Sequence, residues 1–339
     1  MKAYNLYGIK DLRYEDVTMP NCPKGWAIVQ VKAAGICSSD IARVFKKGTY
    51  HFPTIPGHEF SGVVSYVADK DNVNLIGKKV GVFPLIPCKQ CNQCKEKHYE
   101  MCEHYDYIGS RRDGGFAEYV AVPIWNLIVL PDNVHFIEAA MLEPLSVALH
   151  AVKIGNVKNG DNMAIVGTGM IGIAAGQWGY EQGANSISVF GRNESKRKLI
   201  ENCNLNYFAN ITEDEFNKYD VVLEAVGTPS SITAAIQLAK PGGTIILMGN
   251  PASDIGLKQD VYWKILRKQL VVKGTWNSFF DEKNRSDWTE AVCALSKNMI
   301  DVKSLVTHTF VQEDLLKGLN LMYEHCEPYC KVMTIWNDK

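Results

Sequence analysis

The sequence lacks the features that mark membrane, secreted and nucleic-acid-binding proteins. No apolar run approaches the roughly 20 residues that a helix needs to span a bilayer. Residues 1–17 are charged early and lack the apolar core of a signal peptide. No long run carries charge of one sign, and 36 basic and 37 acidic residues give a formal net charge of −1. We therefore expect a cytoplasmic protein without a membrane or nucleic-acid partner.

The composition that is present is sufficient for two folded domains. A length of 339 residues exceeds what one compact core usually organises. Hydrophobic residues make up 46% and charged residues 22%, which is an ordinary globular composition. Ten cysteines are many for a protein in a reducing compartment. We expect them to be metal ligands, catalytic groups or buried apolar side chains rather than disulfides.

The first part of the chain predicts a mainly antiparallel β domain. Residues 26–31 and 62–67 are rich in β-branched and aromatic residues, which is typical of strands. Glycine and proline interrupt the segments between them. The pattern changes near Pro144, and we place the domain boundary after residue 147.

The middle of the chain, residues 148–280, predicts a parallel sheet with helices on both faces. Near-continuous apolar strands that alternate with helices indicate such a sheet. A helix is expected at 171–182, and strands are expected at 163–166, 186–190, 221–225 and 244–248. After residue 274 the alternation stops. The last part, 281–339, predicts one or two helices and a strand at 331–335 that returns to the first domain.

The segment after the first of these strands matches the dinucleotide-binding pattern G-x-G-x-x-G at Gly167, Gly169 and Gly172. The first glycine permits a tight turn, the second lets the backbone approach a pyrophosphate, and the third lets the helix pack close to the strand. The pyrophosphate would lie at the helix N-terminus, near Met170 and Ile171. A turn that binds nothing is the alternative, and the flanking strand and helix argue against it.

The end of the second strand bears on the choice between NAD and NADP. Enzymes that select NAD carry a carboxylate there, which bonds the ribose hydroxyl groups. This chain has Gly191, Arg192 and Asn193 instead. Loss of a negative charge and gain of a guanidinium favour the 2′-phosphate of NADP, with help from Lys196 and Arg197. NAD use is the alternative if Arg192 is only a solvated loop residue.

Four cysteines, Cys88, Cys91, Cys94 and Cys102, have the spacing of a closed tetrahedral zinc site. Four thiolates leave no open coordination position, so this zinc would be structural. An iron-sulfur cluster is one alternative, but the bacterial ferredoxin pattern closes with a spacing of three rather than seven. A nucleic-acid-binding zinc ribbon is another, which the balanced charge disfavours. Buried free thiols are the third.

Cys37, His58 and Glu59 form a second group of metal-ligand types. One thiolate, one imidazole and a carboxylate suit a catalytic zinc that keeps a position for water or substrate. Glu143 is the most plausible additional carboxylate, and Asp40 is expected to accept a hydrogen bond from the second ring nitrogen of His58. Each residue alone has an ordinary structural explanation, and their joint occurrence favours the metal site.

With these motifs the sequence resembles the zinc-dependent medium-chain dehydrogenase family over essentially its whole length. The resemblance rests on the four cysteines, the glycine fingerprint and three further stretches, residues 57–62, 113–119 and 143–150. It is most similar to the polyol dehydrogenase branch, on residues 41–46, 107–115 and 264–268. It implies an α/β protein with a GroES-like catalytic domain, 1–147 and 281–339, and a Rossmann domain, 148–280.

The family resemblance implies roles for individual residues. Cys37, His58 and Glu143 would bind the catalytic zinc, with Glu59 bound to it directly or lying just behind it. Ser39 would start a proton relay beside Asp40. The expected cofactor contacts, beyond the glycines, are Met170, Ile171, Arg192, Asn193, Arg197, Val226, Asn250 and Thr275. The expected substrate contacts are Arg43, Trp276 and Asn277. Two zinc ions per chain, NADP in preference to NAD, and a homodimer or homotetramer complete the expectation.

The reaction implied by the resemblance is oxidation of a secondary hydroxyl of a small polyol. A phosphorylated polyol needs a cationic partner, for which Arg43 is the first candidate. Other candidates are Arg111, Arg112, Lys264 and Arg267, although any one of these is more commonly a surface charge. An unphosphorylated polyol, a diol or threonine is the alternative substrate. A non-catalytic zinc-binding interaction protein is the alternative from another class.

Overall fold

The computed structural model describes residues 1–281 and 286–336. Contacts divide the chain into two compact units. The first comprises Met1–Pro144, Phe279–Asn298 and Val306–Lys339, and the second comprises Leu145–Ser278 and Met299–Leu305. Within the described ranges, no helix has both the length and the apolar character needed to cross a membrane.

The N-terminal part of the first unit is built mainly of strands. Its strands are β1 (Lys2–Gly8), β2 (Asp11–Asp16), β3 (Trp26–Ile36), β4 (Glu59–Val67), β5 (Lys79–Val82), β6 (Leu85–Ile86), β7 (Asp106–Tyr107), β8 (Tyr119–Pro123) and β9 (Leu127–Val129). Its short helices are α1 (Ser38–Ala42), α2 (Asn92–Lys95) and α3 (Phe136–Ala139). The predicted strands at 26–31 and 62–67 lie inside β3 and β4 and are confirmed.

The second unit alternates strands with helices, as its sequence predicts. The boundary between the units falls within α4 (Leu142–Gly155). The strands that follow are β10 (Asn162–Val166), β11 (Ser186–Phe190), β12 (Asn206–Phe208), β13 (Tyr219–Glu224), β14 (Ala239–Leu247) and β15 (Val271–Gly274). The helices are α5 (Met170–Glu181), α6 (Arg197–Asn202), α7 (Pro229–Leu238) and α8 (Gln259–Arg267). Ala225 and Met248, predicted as strand ends, lie one position beyond β13 and β14.

The C-terminal part supplies α9 (Asp287–Ser296), β16 (Val306–Val311), α10 (Leu315–Glu324) and β17 (Lys331–Ile335). The predicted strand at 331–335 is therefore confirmed, and it pairs antiparallel with β3 in the first unit. The segment Met299–Leu305 differs from the predicted division, because it groups with the second unit. The Asp301 backbone exchanges two hydrogen bonds with the Gln177 side chain of α5, at 2.7 and 3.1 Å, which holds the segment there.

The main sheet of the first unit has the order β16-β17-β3-β4-β5-β9, with β8 also paired to β3. All its pairings are antiparallel except that of β16 with β17. Its core combines apolar side chains from distant parts of the chain, including Tyr4, Phe60, Phe116 and Trp336. Burial of these side chains provides the main stabilisation of the unit.

The sheet of the second unit is parallel, with the order β12-β11-β10-β13-β14-β15. This is the Rossmann order, in which the strand sequence reverses beside the first strand. In β10, four of the five residues are buried, because helices cover both faces of such a sheet. Ligands bind at the carboxyl ends of the strands next to the reversal, where the glycine fingerprint follows β10.

Candidate active site

Three metal-ligand side chains meet where β3 ends and β4 begins. One donor atom each from Cys37, His58 and Glu59 lies within 4.8 Å of the others. Cys37 follows β3 directly, and Glu59 opens β4, which pairs with β3 so that Glu59 is opposite Gly35. A side chain at position 35 would place its Cβ 2.5 Å from Glu59 Oε2, so glycine leaves the room that this carboxylate needs. The donor set and its spacing fit a zinc ion.

Asp40 contacts two of these three residues, Cys37 and His58. One of its oxygens accepts a hydrogen bond from the Cys37 backbone N–H at 3.0 Å, and its Oδ1 lies 3.3 Å from His58 Nδ1. The hydrogen bond predicted from His58 to Asp40 is not formed, because His58 Nδ1 has no partner of hydrogen-bond geometry among the described residues. Burial alone would raise the pKa of Asp40, but His58 and Arg43 outweigh it and lower this pKa. Asp40 is therefore a buried carboxylate that contacts the Cys37 backbone, Arg43 and the His58 ring.

Arg43 lies beside Ser39 and Asp40. Its Nη1 donates to Ser39 Oγ at 2.9 Å and to Asp40 Oδ1 at 3.1 Å. Its predicted role as a substrate contact stays a prediction. The observed contact with Ser39 also orients this serine, which is the side chain expected to start the proton relay.

Glu143 lies in the first turn of α4 and is buried, but it is not one of the three donors that meet within 4.8 Å. Its Oε1 accepts a hydrogen bond from the Tyr107 hydroxyl at 3.3 Å. Burial, together with the negative charge of Glu59, raises the pKa of Glu143 to about 7. Tyr107 was not predicted as a partner of Glu143, because only the fold brings these residues together across 36 positions.

Lys331, the first residue of β17, is a second site residue that sequence reasoning missed. Its Nζ donates to the Glu59 carboxylate and, at 3.2 Å, to the Ile36 carbonyl. Burial would lower the pKa of Lys331, but Glu59 and Cys37 outweigh it and the pKa is raised. One signal was available, since a lysine opens an otherwise apolar strand that was predicted to return to the first domain.

The four cysteines also come together. Donor atoms of Cys88, Cys91, Cys94 and Cys102 lie within 4.8 Å of one another, with sulfur–sulfur distances of 3.9 Å for Cys88–Cys94 and Cys91–Cys102. Zinc–sulfur bonds of about 2.3 Å in a tetrahedron require sulfur atoms about 3.8 Å apart. Backbone N–H groups of Gln90 and Cys91 lower the pKa of Cys88 to about 6, which favours the thiolate. This lobe fits a structural zinc ion.

The glycine fingerprint has the geometry that a dinucleotide requires. Gly167 has a φ of +129°, which side chains disfavour, and Gly169 caps the N-terminus of α5 with open space around it. A Cβ on Gly172 would lie 2.5 Å from the Gly167 carbonyl oxygen. Met170 and Ile171 form the first turn of α5, whose free N–H groups suit a pyrophosphate.

The predicted cofactor cations differ in their surroundings. Arg192 is exposed, and no hydrogen bond or ion pair engages it within 1–281 and 286–336. Arg197 pairs with Glu194 and Glu201, and its guanidinium stacks on the Tyr207 ring. Lys196 Nζ donates to the Thr168 carbonyl at 3.1 Å. Asn193, next to Arg192, accepts a hydrogen bond from the Ser195 backbone N–H. Arg192 is thus the one of these three cations without an intramolecular partner among the described residues.

Other predicted cofactor contacts follow the next strands. Val226 comes after β13, where Glu224 accepts hydrogen bonds from the backbone N–H groups of Val226 and Gly227 at 2.8 and 2.7 Å. Asn250 lies against this turn, because a Cβ on Gly227 would approach its carbonyl carbon to 2.8 Å. The loop after β15 carries Thr275, Trp276 and Asn277. Among these, the Trp276 side chain is exposed, and Asn277 adopts a left-handed conformation with a φ of 58°.

Comparisons with known proteins agree with this architecture. The family described as alcohol dehydrogenase GroES-like domain matches residues 23–132, and the family described as zinc-binding dehydrogenase matches residues 170–297. Galactitol 1-phosphate 5-dehydrogenase of Escherichia coli K12 is 32% identical over 290 residues, which are 83% of this chain and 84% of that protein. The first match contains Cys37, His58, Glu59 and the four cysteines, and the second begins at Met170, inside the glycine fingerprint.

Solved structures show the same fold over the whole chain. Galactitol-1-phosphate dehydrogenase from Escherichia coli superposes with a TM-score of 0.91 at 29% identity, covering 99% of this chain and 100% of that one. A zinc-binding dehydrogenase from Sinorhizobium meliloti 1021 bound to NADP superposes with a TM-score of 0.88 at 26% identity, covering 98% of each chain. The chain belongs to the zinc-dependent medium-chain dehydrogenase family and is an oxidoreductase of the alcohol and polyol dehydrogenase type.

Proposed function

We propose that this enzyme oxidises a secondary hydroxyl of a polyol phosphate with NADP in preference to NAD. The reference reaction is oxidation of galactitol 1-phosphate to tagatose 6-phosphate. The observation that carries the reaction type is the meeting of the Cys37, His58 and Glu59 donor atoms within 4.8 Å, in the same unit as Ser39. Glu143 is the additional carboxylate for the same metal.

The chemistry divides between the metal and the side chains around it. Zinc bound to these ligands would supply a Lewis acid that stabilises the deprotonated hydroxyl of the substrate. The carbinol carbon then loses its hydrogen as hydride to the nicotinamide of the cofactor, and the hydroxyl proton leaves separately. Asp40 lies 3.3 Å from His58 Nδ1, and Lys331 donates to the Glu59 carboxylate.

Ser39 is placed to carry that proton away. A serine hydroxyl has one hydrogen to donate and two lone pairs. Arg43 occupies one lone pair at 2.9 Å, which leaves the other free to accept the substrate proton as the serine passes on its own. Asp40 anchors Arg43 in turn at 3.1 Å, so the relay begins at an oriented hydroxyl.

The NADP preference is supported by the end of β11. Gly191 replaces the acid that would repel a 2′-phosphate, and the exposed Arg192 has no competing partner among the described residues. A guanidinium binds a phosphate through paired, charge-assisted hydrogen bonds. One structural neighbour of this chain was solved with NADP and another, from Escherichia coli CFT073, with NADH. The rate measurements therefore include both NAD and NADP.

The phosphate on the substrate is supported by the 32% identical relative, which acts on galactitol 1-phosphate. An unphosphorylated polyol or diol is a second candidate, and a specific observation favours it. The candidate cations already have intramolecular partners: Arg43 binds Asp40, Arg111 lies between the Tyr50 and Tyr105 rings, Arg112 pairs with Asp106, and Lys264 and Arg267 lie over the Phe216 and Trp263 rings.

Two zinc ions per chain and a homodimer or homotetramer are part of the proposal. The four-cysteine group and the Cys37–His58–Glu59 group would each bind one zinc ion.

The proposed assembly would use the edge of the parallel sheet. In the described part of the chain, β15 forms one edge of this sheet, and its Val271 and Val272 are exposed. An apolar edge strand is a surface that a second copy can extend.

The test is the initial rate of the purified, zinc-loaded enzyme with galactitol 1-phosphate, sorbitol 6-phosphate, galactitol and sorbitol, each with NAD and NADP. We expect a higher kcat/KM for the phosphorylated substrates and for NADP. Cys37→Ser should abolish turnover and leave cofactor binding intact. Cys293→Ser, at an exposed thiol, should change neither turnover nor cofactor binding.

Equal or better rates with the plain polyols would indicate a general polyol dehydrogenase. No turnover with any alcohol, together with unchanged zinc content, would favour a non-catalytic zinc protein.

A further inference from the structure

Thr168 and Gly191 are in direct steric contact beside the expected ribose site of the cofactor. Thr168 lies between the first two glycines of the fingerprint, and Gly191 is the residue directly after β11. A Cβ built on Gly191 would lie 2.3 Å from Thr168 Cγ2, 3.0 Å from Oγ1 and 3.2 Å from Cβ. The side chain of Thr168 therefore fills the space in which any side chain at position 191 would start.

The two backbones cannot easily move apart to relieve this contact. The Gly191 N–H donates to the Phe208 carbonyl at 3.0 Å, and the Gly191 carbonyl accepts from the Tyr207 hydroxyl at 2.6 Å. On the other side, Thr168 is held through its carbonyl, which accepts from Lys196, and through Gly167, whose N–H donates to the Phe190 carbonyl at 2.9 Å. Movement of either residue would break buried or loop-defining hydrogen bonds.

Rotation of the threonine side chain gives only partial relief. A β-branched side chain has two heavy atoms on Cβ, so most of its χ1 positions keep one of them toward Gly191. The Cβ itself stays 3.2 Å from the site of the new atom in every rotamer. Adding a side chain at position 191 is thus an overpacking change, of the kind that usually costs stability.

We propose that Thr168 is a specificity-determining residue, which keeps position 191 a glycine and so excludes an acidic side chain from the ribose site. This inference rests on the proposed NADP preference. It adds that Thr168, in the glycine loop, is the residue that prevents an acidic side chain at position 191. The acid therefore becomes compatible with the fold only when Thr168 is shortened.

The experiment compares four proteins: the wild type, Thr168→Ala, Gly191→Asp and the double variant. Affinities for NADPH and NADH are measured by nicotinamide fluorescence, and thermal unfolding is recorded without cofactor. We expect Gly191→Asp alone to lower the unfolding midpoint by about 2 to 10 °C. It should also bind both cofactors roughly tenfold more weakly, because the distorted loop no longer fits the pyrophosphate. The double variant should recover most of the midpoint and bind NADH more tightly than NADPH.

Asn193→Asp is the matched control for charge without crowding, since its side chain is exposed and already accepts the Ser195 N–H. It should weaken NADPH binding to the same extent with and without Thr168→Ala. The inference is overturned if Gly191→Asp alone is as stable as the wild type and already prefers NADH. If the wild type prefers NADH, the proposed cofactor choice is wrong. The stability comparison between the single and double variants still decides whether Thr168 enforces glycine at position 191.

Discussion

Lys331 and Glu59 form an ion pair that is almost completely shielded from solvent, with side-chain exposures of 5% and 2%. The lysine lies in the last described strand of the first unit, and the glutamate lies beside Cys37 and His58. If zinc binds as proposed, the Cys37 thiolate and the Glu59 and Glu143 carboxylates would bring three negative charges to one metal of charge +2. Lys331 supplies the further positive charge that makes this cluster neutral.

Replacement of Lys331 by methionine should destabilise the metal-free protein by about 3 to 5 kcal/mol, because it leaves a buried carboxylate without its partner. The loss should be smaller in the zinc-loaded protein, since the metal then supplies compensating charge. Urea unfolding of both forms measures the two losses. Lys317→Met is the matched control, because Lys317 is 69% exposed in its pair with Asp314 and should cost less than about 1 kcal/mol. Equal losses in the two metal states would contradict this account.

Removal of one thiolate from the four-cysteine lobe should remove one zinc ion. Cys94 is buried and follows the start of the short helix α2, so Cys94→Ser breaks the closed ligand shell. Metal analysis should find about one zinc per chain in place of about two. Cys326→Ser, at an exposed thiol outside the lobe, should leave the metal content unchanged. A Cys94→Ser protein with unchanged zinc content would show that the lobe is not a zinc site.

Truncation of Trp288 should destabilise the first unit more than truncation of any exposed aromatic residue. Its indole packs edge-on against Phe83 and Phe280, at ring-centroid distances of 5.5 and 6.3 Å, and only 1% of the residue is exposed. Trp288→Ala should cost about 3 to 5 kcal/mol. Trp263→Ala, on the exposed face of α8, should cost far less. Thermal unfolding compares them, and similar midpoints would mean that α9 contributes little to this core.

A charge on the edge strand β15 should weaken assembly. Val272 is 43% exposed, and a lysine there would be buried without a partner if a second copy extends the sheet. We expect Val272→Lys to shift the protein toward monomer in size-exclusion chromatography with light scattering. The control is Val73→Lys, at a 53% exposed position in a short 3-10 helix of the first unit. An unchanged mass for Val272→Lys would place the interface elsewhere.

The elements that the sequence predicted best are those that depend on short-range pattern. The fingerprint at Gly167, Gly169 and Gly172 lies between a strand and a helix, as expected, because glycine spacing and apolar runs are local properties. The four cysteines converge because a span of so few residues can close on one ion with little loss of chain entropy. The Cys37–His58–Glu59 group spans a longer segment, and the joint occurrence of these ligand types, together with the family resemblance, predicted it.

The contacts that the sequence did not predict are those set by tertiary pairing. Lys331 meets Glu59 only because β17 pairs with β3, at a sequence separation of 272. The contact of Thr168 with Gly191 depends on the pairing of β10 with β11, which brings the residues after the two strands together. Arg43 follows Ser39 and Asp40 at helical spacing, so its pairing with them was open to prediction from local sequence.

The pairing of β17 with β3 also determines when the sheet of the first unit can be completed during translation. β3 pairs early with β4 and β8, but one edge of its end, residues 33–36, stays unpaired until the chain has grown past Lys331, 295 positions beyond Ile36. At about 5 to 20 residues per second, that interval is roughly 15 to 60 s on the ribosome. During that interval this strand edge stays unpaired, and the second unit in turn has to wait for residues 299–305. Nascent chains of this enzyme should therefore depend on chaperones more than a protein with contiguous domains.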